Sequence, residues 1–421
     1  MFLPQRTWTR LVFLLVSTVV AIYSAEAAVG VFARVSATLH ARPSGFDERT
    51  KREVVMDMRA RGVDAFPAIQ PSGLLEPGPK RALRSAITID GVEVLPLGGI
   101  ADKETVLCNE TGQYVIYHSD EEGFHNPAGI WSKATLDVGA VGDSFTHGAC
   151  VPSDKNAVAL IRQRYPGTLN LGMSRNGPLL NLAALREYLP ALRPRIVLWL
   201  HIEGHDFFDL AMERRSPLLM RYLRGNETQG LRGQREAIDR SLVSYVVERL
   251  DRPPDRRGSG RAALRLERPT LAVAPKAPLL GFIQLAEIRG LVRAVSEDTR
   301  FDKPSSDDWS LFSEILGRAR DTVASWNGRF YVVYLPSAAR YQALTFGLPD
   351  QAHGRVLSIA QELGIPVIDA AKAFTSQRDP QALFATPGIE SRAAHYTEEG
   401  YRLLADTILD ALPAAPTSAL P

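Results

Sequence analysis

Cysteine is almost absent from this chain. Only Cys108 and Cys150 occur among 421 residues, and without a C-x-x-C spacing they argue against a thiolate metal cluster. Charge of one sign is lacking too. Lys and Arg number 49 against 47 Asp and Glu, a net charge of +2. That leaves no whole-protein electrostatic case for a nucleic-acid partner, and no DNA- or RNA-binding motif appears. With 45% hydrophobic and 23% charged residues, the composition is that of an ordinary globular protein with ample core.

Long apolar runs are confined to the N-terminus. Arg6 and Arg10 precede "LVFLLVSTVVAIY", residues 11–23. A signal peptide would be cut near Ala25-Glu26-Ala27, an A-x-A pattern. A signal anchor would continue to about Phe32, long enough to cross a bilayer. Val29, Val31 and Phe32 extend the apolar stretch and favour the uncut anchor over residues 1–33. Positive charge ahead of the run places the rest of the chain on the extracytoplasmic, periplasmic side. In an oxidising compartment Cys108 and Cys150 can form one disulfide, and two buried free thiols are the alternative. A bridge would tie the segment before the core domain to the loop just beyond Ser144.

Residues 34–130 read as an N-terminal extension rich in Pro, Gly and charge, with strand-like pieces such as "VEVLPL" and "QYVIYHS". From about 131 the pattern becomes apolar runs alternating with amphipathic segments. The runs are "TLDVGAV", "TLNLGM" (168–173), "RIVLWLHIEG" (195–204), "RFYVVYLP" (329–336) and "IPVIDA" (365–370). Helices are expected around 155–164, with Val158, Leu160 and Ile161 on the apolar side, and over "TEEGYRLLADTILDAL", with Thr397 as N-cap. Five such runs between helices argue a parallel sheet covered on both faces. An insertion at about 211–306 interrupts the rhythm, and "DRPPDRRGSGRAALRLERP" within it reads as an arginine-dense linker or a flap for anionic surfaces.

In "VGAVGDSFTHG", residues 138–148, the apolar run stops at Gly142-Asp143-Ser144. A serine on the turn after a buried strand is lifted to the sheet's edge, where a nucleophile is needed; helix capping is the plainer use. A serine nucleophile also needs a base in hydrogen-bond reach and donors for the developing oxyanion. His395 stands just ahead of the last helix. "NLGMSRNGP" offers backbone N–H groups, and "IEGHDFFD" offers His205.

In that order, "GDSFTHG", "NLGMSRNGP", "EGHDFFDL" and "HYTEEGYRLLA" resemble the four blocks of the SGNH (GDSL-type) serine hydrolases, from near residue 131 to the C-terminus. The resemblance implies a three-layer α/β/α flavodoxin-like sandwich, esterase, lipase or carbohydrate deacetylase chemistry, Ser144 as nucleophile, His395 as base, and no metal or organic cofactor. The oxyanion donors would be Gly172 or Arg175, either of which aligns with the second block, and His205, which stands where the family has Asn. An imidazole can still donate one hydrogen bond, with an altered pH dependence. The acid usually found two or three residues before the histidine is replaced by Arg392 and Ala393. The expectation is a Ser–His dyad, helped by a carbonyl or by Glu390.

Other candidates read as structural. His201, Glu203 and His205 would share one face at strand spacing, but lack the helical pattern of a zinc protease. His118, His125 and His147 read as satisfied histidines, and Asp143 as a group that fixes the nucleophile turn. The expected function is therefore hydrolysis of a carboxylic ester, of an acylated carbohydrate or lipid, by an exported protein held at the membrane by its N-terminal segment. O-acyl transfer to or from an exported polysaccharide and a non-catalytic carbohydrate- or lipid-binding role are the rivals.

Overall fold

In the computed structural model the described residues are 5–39, 45–251, 285, 289, 304–341, 348–385 and 394–414. Glu390, Arg392, Ala393 and the arginine-dense run after Asp251 lie outside them.

Helix α1 (Gln5–Leu39) contains one stretch, Val12–Val31, with a mean hydropathy of 2.0, long and apolar enough to cross a membrane. Ser17 and Thr18 donate to the carbonyls of Phe13 and Leu14, so their hydroxyls are satisfied within the helix. This helix falls in a different compact unit from the sheet.

The second unit holds the extension, the sheet and the helices that cover it. Helix α2 (Lys51–Ala60) opens with a capping box, Thr50 to Glu53, as the T-x-x-E spacing requires. Strands β1 (Ala65–Pro67), β2 (Glu104–Cys108) and β3 (Val115–His118) form a small sheet in the order β1-β2-β3, parallel then antiparallel. Of the two strand-like pieces expected in the extension, "QYVIYHS" supplies β3, whereas "VEVLPL" gives only a two-residue strand at Val92–Glu93.

The five apolar runs become β4 (Val138–Val141), β5 (Thr168–Asn170), β6 (Ile196–Ile202), β7 (Arg329–Leu335) and β8 (Val367–Asp369), all parallel. Their order across the sheet is β5-β4-β6-β7-β8. Numbered within the sheet this is 2-1-3-4-5, the flavodoxin-like order, whose switch point lies between the first and third strands. All seven residues of β6 are buried, as a central parallel strand with both faces covered demands.

Period-two alternation divides the core. Ile196, Leu198, Leu200 and Ile202 face one layer, with helices α4 (Ala157–Arg164), α11 (Ala370–Thr375) and α12 (Glu398–Ala411). Val197 and Trp199 face the other, with α5 (Pro178–Leu192), α9 (Ser306–Ala324) and α10 (Leu348–Glu362). The expected helix at 155–164 begins two residues late, because Asn156 caps it, and buries Val158 and Ile161. Thr397 caps α12 by accepting from Gly400 N–H.

The second layer is continuous with the extension. Val54, Phe66, Leu95 and Val106 share one core with Leu171, Tyr188 and Trp199. Two helices of the insertion, α7 (Pro217–Arg224) and α8 (Arg235–Asp251), bury Leu219, Tyr222, Leu242 and Val246 in the same core.

Candidate active site

The turn after β4 is built for close approach. A Cβ on Gly142 would sit 2.1 Å from Thr146 Oγ1 and 3.1 Å from the Leu200 carbonyl oxygen, so only glycine lets the chain turn there. Asp143 then caps the short helix α3 (Ser144–His147), accepting from Phe145 N–H at 2.9 Å. That is the turn-fixing role expected of Asp143. Burial, with Asp206 nearby, pushes its carboxyl up to about 7.

Ser144 Oγ lies 2.8 Å from His395 Nε2. His395 is fixed from several sides. Its carbonyl accepts from Ala385 N–H at 2.9 Å, its ring packs on Phe145 with centroids 4.9 Å apart, and the following Tyr396 donates to the Pro336 carbonyl.

The dyad expected from the sequence is corrected by Glu110. Its Oε1 is 2.6 Å from His395 Nδ1, and its Oε2 accepts from His395 N–H at 3.0 Å. Burial pushes the Glu110 carboxyl up, but the His395 charge and both hydrogen bonds outweigh this and hold it below its ordinary value. The carboxylate paired with His395 therefore comes from the extension, N-terminal to Ser144 in sequence. It sits in a turn after β2, where a register irregularity between Val106 and Cys108 bends the strand end. Asn109 Oδ1 accepts from Gly112 N–H and Asn109 Nδ2 donates to the Asp47 carbonyl. The sequence carried one hint. Cys108 and Cys150 are disulfide-bonded, with Cα atoms 5.4 Å apart, and Glu110 is two residues beyond the first of them.

The oxyanion candidates separate. Gly172 is excluded as a donor: its N–H donates to Asn170 Oδ1 at 2.8 Å. A Cβ there would meet Thr146 Cβ at 2.5 Å and His147 N at 2.6 Å. Its lack of a side chain serves packing against α3. Arg175 takes the left-handed conformation, φ +65°, and among the described residues no group accepts from its N–H or from that of Ser144. His205 is the first residue of α6 (His205–Glu213), after Gly204 at φ +81°. Burial, with the charges of His395 and Arg175, pushes its imidazole down to about 4. It is therefore neutral near pH 7, and the altered pH dependence expected of it moves to the acid side.

The His201–Glu203–His205 face does not form. His201 packs against Phe207, Phe312 and Tyr334 and lies 2.6 Å from the Asp206 carboxyl. Beyond Ile202 the strand ends, and Glu203 turns to Tyr334, Ser337 and Arg340. Glu110, Cys150 and His395 bring ligand-type atoms within 4.8 Å of one another, but the Cys150 sulfur is engaged in the disulfide and the other two bind each other. The histidines expected to be structural, His147, His125 and His118, are satisfied. His147 Nε2 meets Tyr117 OH at 2.9 Å and its Nδ1 accepts from Ser174 N–H. His125 bridges the His147 carbonyl and Ser153 Oγ, and His118 pairs with Glu104.

The strand order defines a flavodoxin-like α/β/α fold, and a serine ending the first sheet strand, a histidine preceding the last helix and Glu110 form a hydrogen-bonded Ser–His–Glu constellation on it. No family model and no curated protein matches the chain. Among solved structures it is similar to a member of the lipolytic G-D-S-L family from Veillonella parvula DSM 2008 (13% identity, TM-score 0.33, covering 66% of this chain and 98% of that one). It is also similar to an acetylxylan esterase from Geobacillus stearothermophilus (13%, 0.34, 67% and 97%). A third is LAE5, an α/β hydrolase from the metagenome of Lake Arreo, Spain (12%, 0.35, 67% and 97%).

Proposed function

We propose that this protein is an exported, membrane-anchored hydrolase of carboxylic esters, acting on an acylated carbohydrate or lipid. The hydrogen-bonded chain from Ser144 through His395 to Glu110 carries the reading. Ser144 Oγ attacks the acyl carbon as its proton passes to His395 Nε2. The oxyanion forms among the N–H groups of Ser144 and Arg175 and the neutral ring of His205. His395 then gives its proton to the departing alcohol. A water attacks the acyl-enzyme with His395 as base, releasing the acid and restoring Ser144. Glu110 holds the Nδ1–H tautomer and stabilises the imidazolium.

The test is hydrolysis of a short activated ester. Wild type should turn it over and Ser144→Ala should not; equal rates for both, or no hydrolysis by either, would refute the enzyme reading. Export is supported by the apolar helix with Arg6 and Arg10 ahead of its core. A C-terminal reporter that works only in the cytoplasm should be silent, and an active one removes that part of the reading.

A further inference from the structure

The extension supplies the acid, yet Glu110 is far in sequence from both other members of the site. Its turn is anchored to its own segment by Asn109, through Gly112 and Asp47. Those bonds order the turn but do not connect it to the nucleophile. That connection is made by Cys108, two residues before Glu110, bonded to Cys150, which follows the nucleophile helix and its terminating Gly148. Cys150 itself takes φ +66°, an unfavourable region for a side-chain-bearing residue, and its Sγ lies 3.7 Å from His395 Nδ1. The cross-link thus lies against the ring nitrogen that Glu110 binds.

We infer that the Cys108–Cys150 disulfide is a positioning element for catalysis, which holds Glu110 on His395 so that the triad is complete only in the oxidised protein. This rests on the proposed esterase activity. Two-electron reduction by an added thiol or phosphine converts the disulfide to two thiols and frees the 108–112 turn from the loop at Cys150. The consequence reaches His395 in a defined way. A carboxylate on Nδ1 favours the imidazolium, so losing it lowers the His395 pKa and moves the acid limb of the kcat profile to lower pH.

The full-length protein is assayed on the activated ester in four forms: oxidised, reduced with a phosphine under native conditions, Cys108→Ser/Cys150→Ser, and Glu110→Gln. Reduced protein and the serine variant should each lose about 100-fold in kcat with KM little changed, the scale of general acid–base assistance. The acid limb should shift as it does in Glu110→Gln. Adding Glu110→Gln to the serine variant should cost little more, because both changes remove one contact. Removing the phosphine and reoxidising the two thiols with an added disulfide such as oxidised glutathione, which is itself reduced to two thiols, should restore the rate.

Unchanged kcat on reduction while Glu110→Gln is impaired overturns the proposal, as do losses that multiply in the combined variant. If the serine variant does not fold, reduction of the folded wild type decides; loss of its near-ultraviolet circular dichroism on reduction would make the bridge a stability element and overturn the positioning role. Failure of Ser144→Ala to abolish hydrolysis would instead strike the esterase reading and leave a different signature.

Discussion

Ser144 and Glu110 are two ends of one hydrogen-bonded chain, but the segments that present them have opposite characters. Ser144 follows a strand whose four residues are all buried inside a parallel sheet, between β5 and β6. Its position is set by neighbours on both sides and by a turn only glycine permits. Glu110 follows a strand of a three-stranded sheet and is held by an Asn-stabilised turn and a cross-link. The nucleophile's geometry is imposed by close packing, and the acid's by a few discrete bonds. A packed element fails by destabilising the fold, whereas a bonded loop can lose function with the fold intact.

The contrast is sharpest at Glu110. Glu110→Gln should lower kcat by on the order of 100-fold, within the range for loss of general acid–base assistance, while far-ultraviolet circular dichroism stays unchanged. Its carboxyl has a folded-state pKa below its ordinary value of 4.5. The stability it contributes is thus complete above that value and is lost as the pH falls through the lower folded-state pKa. The Tm difference between wild type and Glu110→Gln should close as the pH falls below about 5. A kcat equal to wild type would reduce the site to a dyad.

His205 tests the donor side. His205→Ala should lower kcat by about 100-fold with KM nearly unchanged, because an oxyanion donor acts in the transition state. His205→Asn should recover much of this. With the imidazole pushed down to about 4, the profile between about pH 5 and 8 should be the same for wild type and His205→Asn. An intact kcat in folded His205→Ala removes the residue from the site.

Packing around the nucleophile is probed at Gly172. Gly172→Ala forces a Cβ to within 2.5 Å of Thr146 Cβ and 2.6 Å of His147 N. Overpacking of this kind typically costs about 1–3 kcal/mol, read as a lower Tm. A Tm equal to wild type would show that α3 can yield, so that close packing does not fix the nucleophile.

Much of the sheet was legible because each strand is a local apolar run with a period that a buried parallel strand must have. As candidates, Ser144 was legible because it follows such a strand, and His395 because it stands just ahead of the last amphipathic helix. The acid was not. No local pattern distinguishes "CNETG" from any polar turn, and its role arises from a contact between residues 110 and 395 that only the folded chain creates. The His201–Glu203–His205 pattern misled in the opposite way. Its alternation assumed that the strand continued, but β6 ends at Ile202, so Glu203 and His205 leave the geometry that would have aligned them.

The smallest expected effect separates backbone from side chain at Arg175. The residue sits at φ +65°, where a Cβ-bearing residue is strained and glycine is not. Arg175→Gly relieves that strain but gives the unfolded chain more freedom, so the two terms oppose and stability should move by no more than about 1 kcal/mol. The N–H proposed as an oxyanion donor is kept, and kcat should be preserved. Arg175→Val is the counterpart: its β-branched side chain resists the left-handed region, so the peptide should rotate and kcat should fall although an N–H is still present. Loss of kcat in both variants would show that the guanidinium acts in the transition state. A rise in KM confined to Arg175→Gly would assign the side chain to substrate binding. Preservation in glycine together with loss in valine is the outcome that places the backbone donor, and not the charge, in the site.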